Sequence, residues 1–276
     1  YSESNDGITF TKPKFKFHKQ NGKKNNIILN EICASHNFSP FYDINTNTYK
    51  AVGGQHLFDI HFKKNREKIY FHQKCKSLTK IHYDKSSCWG LHNKKGSYVD
   101  SSINHPCRCN GLYGYESTDG IKWKLIQDTP IITGFHPGHN DILHGIATYD
   151  SLMSCLYNKQ KELYFLYSRA NVGKQERYIQ YATSKDFINW EPMKLIRMDP
   201  KYGKGDNYYI SNFFQYPDSN IFMSILPYFN KLTCKKKGGK IYLFHSKDAT
   251  IWKRCSELFS TGGFNGLVQK IKNDCQ

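Results

Sequence analysis

The chain alternates between short extended runs and polar turns. The runs are rich in tyrosine, phenylalanine and aliphatic residues, as in residues 162–169 (ELYFLYSR). Aromatic and β-branched residues favour strands. No stretch of ten or more residues has convincing helical periodicity. The pattern therefore predicts an all-β fold.

A seven-residue pattern, Ser-x-Asp-x-x-x-aromatic, occurs four times in the chain. Its copies begin at Ser4, Ser117, Ser184 and Ser246 and end at Phe10, Trp123, Trp190 and Trp252. The starts are 113, 67 and 62 residues apart, which indicates an internal repeat of about 60 residues. The long first gap contains an irregular segment rich in His, Lys and Cys at about 55–110, which we interpret as an insertion.

Predicted strand pairs precede the last three copies of the pattern. These pairs are residues 36–43 with 49–54, 150–157 with 162–169, and 209–216 with 221–226. A four-stranded antiparallel unit that recurs in this way is typical of a β-propeller blade. We therefore predict one propeller domain over residues 1–276, with three evident blades and a further strand pair.

The amino-terminal copy is predicted to form a turn and a strand that ends near Phe10. The connector 13–30 contains the dipeptide Asn21-Gly22, which favours a tight turn. Because the chain begins at Tyr1 rather than at a methionine, we expect a trimmed or partial sequence. No signal peptide is visible. The location therefore stays open, and an extracellular or virion-associated protein is slightly favoured.

The chain is strongly basic, with a formal net charge of +17. Such a charge is compatible with an acidic partner such as nucleic acid, an anionic glycan or a membrane surface. However, the basic residues are 34 lysines and only 6 arginines, scattered along the chain, which also fits the coding bias of an AT-rich genome. Scarce arginine argues against nucleic acid as the partner. No apolar run approaches the length of a membrane span.

Several segments together carry a resemblance to a known group of proteins. They are residues 1–13 with 25–29, residues 36–43 with 49–54, residues 149–151 and residues 179–190. In these segments the chain resembles the five-bladed β-propeller proteins related to glycoside hydrolase families 32 and 43, especially a family-32-like branch. The resemblance implies a five-bladed ring that is incomplete at one or both ends of this chain. It also implies a carbohydrate pocket at one mouth of the ring, lined by the starts of the innermost strands.

Aligning the innermost strands by Tyr42, Tyr157 and Tyr216 identifies the residues expected at that mouth. The resemblance implies a carboxylate there in several blades, because glycoside hydrolysis needs one protonated and one ionised carboxyl group. The third blade carries Tyr208-Tyr209 where the resemblance implies a glutamate acid. Asp43 lies at the far end of its strand and is expected to cap a turn. The catalytic candidates are Asp150 and Asp206, and the substrate-binding candidates are His36, Asn37, Ser151, Arg169, Arg177 and Tyr209.

Histidines in the loop before Asp150 raise the alternative of a metal site. His136, His139 and His144 accompany Asp141 there, but no predicted helix or strand pair sets a ligand geometry. The His and Cys residues of the insertion also lack regular zinc-ligand spacing. We therefore predict no metal and no cofactor.

The resulting hypothesis is a carbohydrate-active, glycoside-hydrolase-like propeller with a glycan as its partner. The alternative is a non-catalytic glycan-binding propeller, or a structural one with a protein assembly partner, for example in a virion. The two differ in whether a second carboxylate lies about 5–10 Å from that of Asp150 across an open pocket. Until that is known, the sequence leaves enzymatic activity open.

Overall fold

The computed structural model describes residues 1–30, 34–54, 56–57, 111–133, 147–149, 151–172, 176–209, 212–216, 219–233 and 238–260. In these ranges the chain is almost entirely β, as predicted, and a short helix, α1, spans Ala34–Asn37. None of the helical residues described belongs to a segment long and apolar enough to cross a bilayer. The strands, in chain order, are β1 (Phe15–Gln20), β2 (Lys23–Asn25), β3 (Ser39–Asp43), β4 (Thr48–Gly53), β5 (His56–Leu57), β6 (Gly111–Ser117), β7 (Lys124–Leu125), β8 (Ile132–Thr133), β9 (Ala147–Thr148), β10 (Ser154–Asn158), β11 (Leu163–Val172), β12 (Glu176–Ser184), β13 (Lys194–Leu195), β14 (Arg197–Asp199), β15 (Asp206–Tyr208), β16 (Phe213–Gln215), β17 (Phe222–Asn230), β18 (Gly239–Ser246) and β19 (Ile251–Ser260).

Three four-stranded antiparallel units account for most of these strands. The first unit has the order β3-β4-β6-β7, the second β10-β11-β12-β13 and the third β16-β17-β18-β19. Strand β15 pairs with the later part of β17, after the part that pairs with β16. Because β15 also pairs in parallel with β12, it joins the second unit to the third. Strand β14 follows the second unit in the chain but pairs in parallel with β19 of the third.

The hydrophobic core lies between the faces of neighbouring units. Strand β11 shows why, because successive side chains along a strand point to opposite faces. Tyr164 and Leu166 pack in a cluster shared with the first unit. Phe165 and Tyr167 pack in a cluster shared with the third unit. Because both faces are covered, residues 163–167 of the strand form an unbroken apolar and aromatic run, and adjacent sheets are stacked face to face.

The four copies of the Ser-x-Asp pattern form the same turn. In each copy the serine Oγ donates to the aspartate Oδ1 at 2.8 or 3.0 Å, and two backbone N–H groups further along the turn donate to that oxygen. The residue after the aspartate has a positive φ in every copy. The indole N–H of each tryptophan donates to the carbonyl of that residue. In its last three copies the pattern is therefore a local turn that reverses the chain between the two outer strands of a unit.

Two local expectations from the sequence are wrong. Residues 36 and 37 were predicted to begin a strand but belong to α1, because the side chain of Asn37 bonds to the backbone at Gly54. Phe10 belongs to no strand among the described residues, and its side chain is 58% exposed. Asn21 and Gly22 do form a turn, with φ of 51° and 73°, between β1 and β2. Most of the predicted insertion at 55–110 lies outside the described residues.

Candidate functional site at the starts of the inner strands

The innermost strands of the three units start at a common level. Strand β10 packs between β3 and β16. The backbone N–H of Met153 donates to Ser39 Oγ at 3.1 Å, and Ser154 Oγ donates to the carbonyl of Phe213 at 2.8 Å. Ser39, Ser154 and Phe213 are the first residues of β3, β10 and β16. Residues just before these three positions therefore meet at one end of the neighbouring strands.

The observed register is the one predicted from the tyrosines. Tyr42, Tyr157 and Tyr216 each follow the first residue of an inner strand by three positions. The sequence alignment thus identified which residues precede each strand, although the first residue of each strand was placed too early. Ser151 and Tyr209, which precede β10 and β16, are consequently at the end of the sheets that the sequence indicated.

Two predicted arginines and Tyr209 occupy one face of the sheet formed by β11, β12 and β15. Arg169 of β11 pairs with Ile179 of β12. Arg177 lies two residues before Ile179 on β12, and it pairs with Asn207 of β15. Side chains two residues apart on a strand share a face. Arg169, Arg177, Asn207 and Tyr209 therefore project from the same side of three adjacent strands.

Tyr209 is the centre of this cluster. Its ring centroid lies 5.3 Å from the guanidinium carbon of Arg177 and 6.0 Å from that of Arg169, within the range of cation–π attraction. The Tyr209 side chain is 46% exposed, whereas Arg169 is 8% exposed. Ser151 Oγ donates to the Tyr209 carbonyl at 3.0 Å. The structure thus brings together four of the predicted binding residues, with the tyrosine as the most accessible.

Asn207 holds the guanidinium group of Arg177 by a hydrogen bond. Its side chain is fully buried, and its Oδ1 accepts a hydrogen bond from Arg177 at 3.3 Å. The amide nitrogen of Asn207 donates to the carbonyl of Gly205 at 2.9 Å, which fixes the orientation of the amide. Sequence reasoning missed Asn207, because only the pairing of β15 with β12 makes it a neighbour of Arg177.

The side chain of Asn37 joins two backbone segments by hydrogen bonds. Its Nδ2 donates at 2.6 Å to the carbonyls of both Gly54 and Tyr149, and its Oδ1 accepts from the N–H of Gly54 at 2.9 Å. The side chain is fully buried. Tyr149, which directly precedes Asp150, is buried and has a φ of 63°. Asn37 therefore fixes the chain next to the predicted catalytic aspartate, and its direct contact with a ligand stays a prediction.

Asp206 lies at the start of β15 with its carboxylate already bonded. Oδ1 accepts from Tyr228 Oη at 2.8 Å and Asn230 Nδ2 at 2.9 Å, and Oδ2 accepts from the N–H of Gly203 at 2.7 Å. Burial and then the bond to Asp206 raise the pKa of Tyr228, so its hydroxyl remains a donor. These bonds fix the loop that leads into β15. The catalytic role of Asp206 stays a prediction.

The remaining candidates lie outside the described residues. Asp150 is among the residues whose placement is not described, as is the side chain of His36. The histidine-rich loop at 136–145 and the histidines and cysteines of the insertion also fall there. Glu176, which sequence reasoning did not consider, accepts a bond from the N–H of Gly205 at 3.2 Å. It directly precedes Arg177 in β12, so its side chain starts from the opposite face of the strand.

A cavity of about 150 Å³ lies at the opposite end of β11 from Arg169. It is lined by Leu163, Phe165, Tyr181 and Lys161 among others. Leu163 is six residues from Arg169, roughly 20 Å along a strand. We place the candidate site at Tyr209 rather than at this cavity, because the cavity borders the outer turns and contains none of the predicted site residues.

The comparisons with known proteins concern the fold. No family model matches the chain, and no curated protein matches its sequence. The structure is similar to that of an N-acetylgalactosamine deacetylase from F. plautii in complex with blood group B trisaccharide, with 15% identity and a TM-score of 0.51. The match covers 95% of this chain and 61% of that enzyme, so the chain spans less than two thirds of its length.

Two further solved structures are similar over about half of the chain. One is a GH32 β-fructofuranosidase from Bombyx mori, at 14% identity and a TM-score of 0.36, with 54% of this chain and 29% of that one covered. The other is an α-L-arabinanase from Penicillium chrysogenum, at 17% identity and a TM-score of 0.39, with 52% and 40% covered. At these identities the likeness concerns the fold alone, and the chain has an all-β propeller fold.

Proposed function

We propose that this chain is a carbohydrate-active β-propeller with its glycan site around Tyr209, at the starts of the inner strands. The observation that carries the proposal is the half-exposed ring of Tyr209 held against Arg169 and Arg177 on one face of the sheet. An aromatic ring offers a flat apolar surface to the C–H face of a sugar. Guanidinium groups offer paired donors to its oxygens.

The two arginines suit this task because they are held before a ligand arrives. Arg177 is fixed by its bond to Asn207 and by the ring of Tyr209. Arg169 is mostly buried, so little side-chain freedom is left to lose on binding. A site with ordered donors and an accessible aromatic surface favours sugar recognition over a purely structural role.

In this proposal Asp150 is the principal candidate for chemistry. It follows Tyr149, whose carbonyl is held by Asn37, and precedes Ser151, which bonds to Tyr209. Hydrolysis of a glycosidic bond needs a second carboxyl group on the other side of that bond. Glu176 and Asp206 are carboxylates described in β12 and β15, one residue before Arg177 and Asn207 in the chain, and Asp206 already accepts three hydrogen bonds.

That last observation favours a second candidate function, glycan binding without hydrolysis. A carboxylate whose oxygens already accept bonds from Tyr228, Asn230 and Gly203 is held in place by the protein and has fewer lone pairs left for a substrate. On this alternative, Asp150 orients a bound sugar instead of cleaving it. The chain would then be a glycan-binding or assembly module of propeller descent.

Binding to a glycan array tests the proposal. Tyr209→Ala should lose most of the signal, because the central aromatic surface is removed. Tyr216→Ala is the matched control, since Tyr216 is also exposed (53%) but lies beyond β16, away from the two arginines. A wild-type chain that binds no glycan, or a Tyr209→Ala variant that binds as well as the control, would contradict the proposal.

Hydrolysis is tested separately with a panel of chromogenic glycosides. If the chain is an enzyme, Asp150→Asn should reduce turnover by at least about a hundredfold while the variant still binds the glycan, as general acid–base catalysis contributes 10²–10⁴-fold. Binding without turnover in the wild-type chain would select the non-catalytic function.

A further inference from the structure

We infer that the hairpin of β1 and β2 is a docking surface for an anionic lipid bilayer. This surface is separate from the Tyr209 site, and the inference does not depend on the proposed function. Strands β1 and β2 form a sheet of their own, and no other strand among the described residues pairs with either of them. The hairpin combines a dense positive charge with an exposed aromatic ring, and both features match the surface of such a bilayer.

The hairpin and its flanks are strongly basic. Residues 12–30 contain six lysines and neither aspartate nor glutamate, so this short segment carries +6 of the formal net charge of +17. All six lysines are exposed, namely Lys12, Lys14, Lys16, Lys19, Lys23 and Lys24. A basic cluster of this size is attracted to a leaflet that contains anionic lipids.

The tip of the hairpin is accessible to a flat partner. Asn21 and Gly22 form the turn, with φ of 51° and 73°, and Gln20 pairs with Lys23 next to it. Residues 19–24 are all exposed. The lysines at this end of the hairpin can therefore approach a flat surface, and the partner needs no groove to receive them.

An exposed aromatic ring lies just behind the tip. The rings of Phe15 and Phe17 are stacked, with centroids 5.3 Å apart and an angle of 18° between the planes. The ring of Tyr1 packs edge-on against Phe15 at 5.8 Å, whereas Phe17 is 43% exposed. An aromatic side chain among lysines suits the headgroup level of a bilayer, where the ring enters the acyl boundary and the charges stay at the headgroups.

The apolar side chains favour a bilayer over a soluble polyanion such as nucleic acid. Besides Phe17, the residues before the hairpin expose Ile8 at 85% and Phe10 at 58%. Nucleic acid is bound mainly through its phosphates, to which an aliphatic side chain such as Ile8 contributes nothing. A bilayer is an extended surface that accepts both lysines and apolar side chains.

Sedimentation of the whole chain with lipid vesicles tests the inference. We expect binding to vesicles of phosphatidylcholine with about 30% phosphatidylserine, and at least about tenfold weaker binding to phosphatidylcholine alone. Added salt should weaken the binding, because the Debye length falls from about 10 Å at 0.1 M to about 3 Å at 1 M. Equal binding to the two kinds of vesicle, or binding to neither, would overturn the inference.

A triple variant shows whether the charge of the hairpin is responsible. Lys19→Gln, Lys23→Gln and Lys24→Gln together should weaken vesicle binding about a hundredfold, since one lysine near an anionic leaflet contributes about fivefold. The matched control removes the same charge at three exposed lysines between β12 and β15, which are Lys185, Lys194 and Lys201. Equal losses in the two triple variants would overturn the inference, because the net charge of +17 alone would then account for the binding.

Phe17 distinguishes a bilayer from a polyanion. Phe17→Ser should weaken vesicle binding about fivefold, because the exposed part of the ring no longer enters the bilayer, and Phe17→Leu should retain most of the binding. Leu258→Ser is the matched control, since Leu258 is 51% exposed on β19, and it should bind as wild type does. Binding of duplex DNA or heparin that depends on the hairpin lysines but not on Phe17, without binding of vesicles, would overturn the inference in favour of a polyanion.

Discussion

Lys50 and Asp43 form an ion pair of 2.6 Å in which both side chains are buried, at 7% and 0% exposure. Tyr164 of the second unit completes the group, since its hydroxyl donates to Asp43 at 2.8 Å and accepts from Lys50 at 2.8 Å. Sequence reasoning assigned Asp43 to a turn cap, and it does bond to the turn residues Asn45 and Thr46. Its larger role is to link two neighbouring units.

Removing Asp43 should destabilise the fold strongly. Asp43→Ala leaves the Lys50 charge buried without its carboxylate, which costs about 3–5 kcal/mol. Burial alone would raise the pKa of Asp43, but the bonds from Lys50, Thr46 and Tyr164 outweigh it and lower that pKa. The free energy of unfolding, from urea titration, measures the loss.

The exposed ion pair between Lys124 and Glu116 is the control for this experiment. Its atoms are 2.9 Å apart, but the two side chains are 76% and 38% exposed. Glu116→Ala should therefore cost less than about 1 kcal/mol. If Asp43→Ala were equally mild, the buried pair would not hold the two units together.

The aspartate of the third turn should make the stability depend on acid pH. Burial raises the pKa of Asp186, but bonds from the backbone N–H and side chain of Asn189, together with those from Ile188 and Ser184, lower it to about 2. Since the unfolded carboxyl titrates near 3.8, the stabilising contribution is complete above that pH and is lost as the pH falls towards 2.

Asp186→Asn should accordingly be less stable than wild type at pH 7, and the difference should shrink between pH 4 and pH 2. Urea unfolding at several pH values measures it. Asp6→Asn is the matched control, because the first turn forms the same bonds but its aromatic residue Phe10 is exposed rather than packed. A pH-independent difference for Asp186→Asn would contradict the assignment.

At the position after the turn aspartate, glycine and alanine should give different stabilities. Gly120 has a φ of 69°, and a Cβ there would meet nothing closer than 3.5 Å, so only the backbone opposes a side chain. Gly120→Ala should cost about 1 kcal/mol in thermal unfolding, because alanine disfavours this conformation.

The reverse change, Ala249→Gly, offers the counterpart in the fourth turn. Ala249 has a φ of 64° and is fully buried, so glycine relieves the backbone but loses a packed methyl group. The two effects should nearly cancel, leaving less change than Gly120→Ala. A larger loss for Ala249→Gly would mean that packing, not backbone conformation, governs the position.

Asn37 should matter for function through the chain it holds. Asn37→Asp removes the N–H groups that donate to the carbonyls of Gly54 and Tyr149. Each carbonyl left buried without a donor should lower the free energy of unfolding by about 1–3 kcal/mol. Because Tyr149 adjoins Asp150, glycan binding should weaken as well. If Asn37 positions the chain at the site, Asn37→Asp should reduce glycan binding at a temperature where circular dichroism shows that the variant is still folded.

The sequence predicted the features that are local and repeated. The Ser-x-Asp turns, the Asn21-Gly22 turn and the register of Tyr42, Tyr157 and Tyr216 all follow from short patterns. These patterns carry their own hydrogen bonds or alternate with the strand period, so no knowledge of distant contacts is needed.

The features that the sequence did not predict depend on contacts between distant segments. The helix α1 forms because Asn37 reaches Gly54 and Tyr149, and the buried pair of Lys50 and Asp43 needs the hydroxyl of Tyr164. The parallel pairing of β14 with β19 likewise joins segments more than fifty residues apart. Periodicity in one strand contains no information on such partners.

The common level of β3, β10 and β16 has a consequence for how such a site can change over time. The residues before each inner strand come from separate stretches of the chain. The hydroxyls of Ser39 and Ser154 align the starts of the three strands, whichever residues precede them. A substitution in one stretch that keeps the bonds from Asn37 to Tyr149 and from Ser151 to Tyr209 therefore leaves the other two stretches in place. If the proposed function holds, ligand preference can evolve one stretch at a time, without loss of the scaffold that carries it.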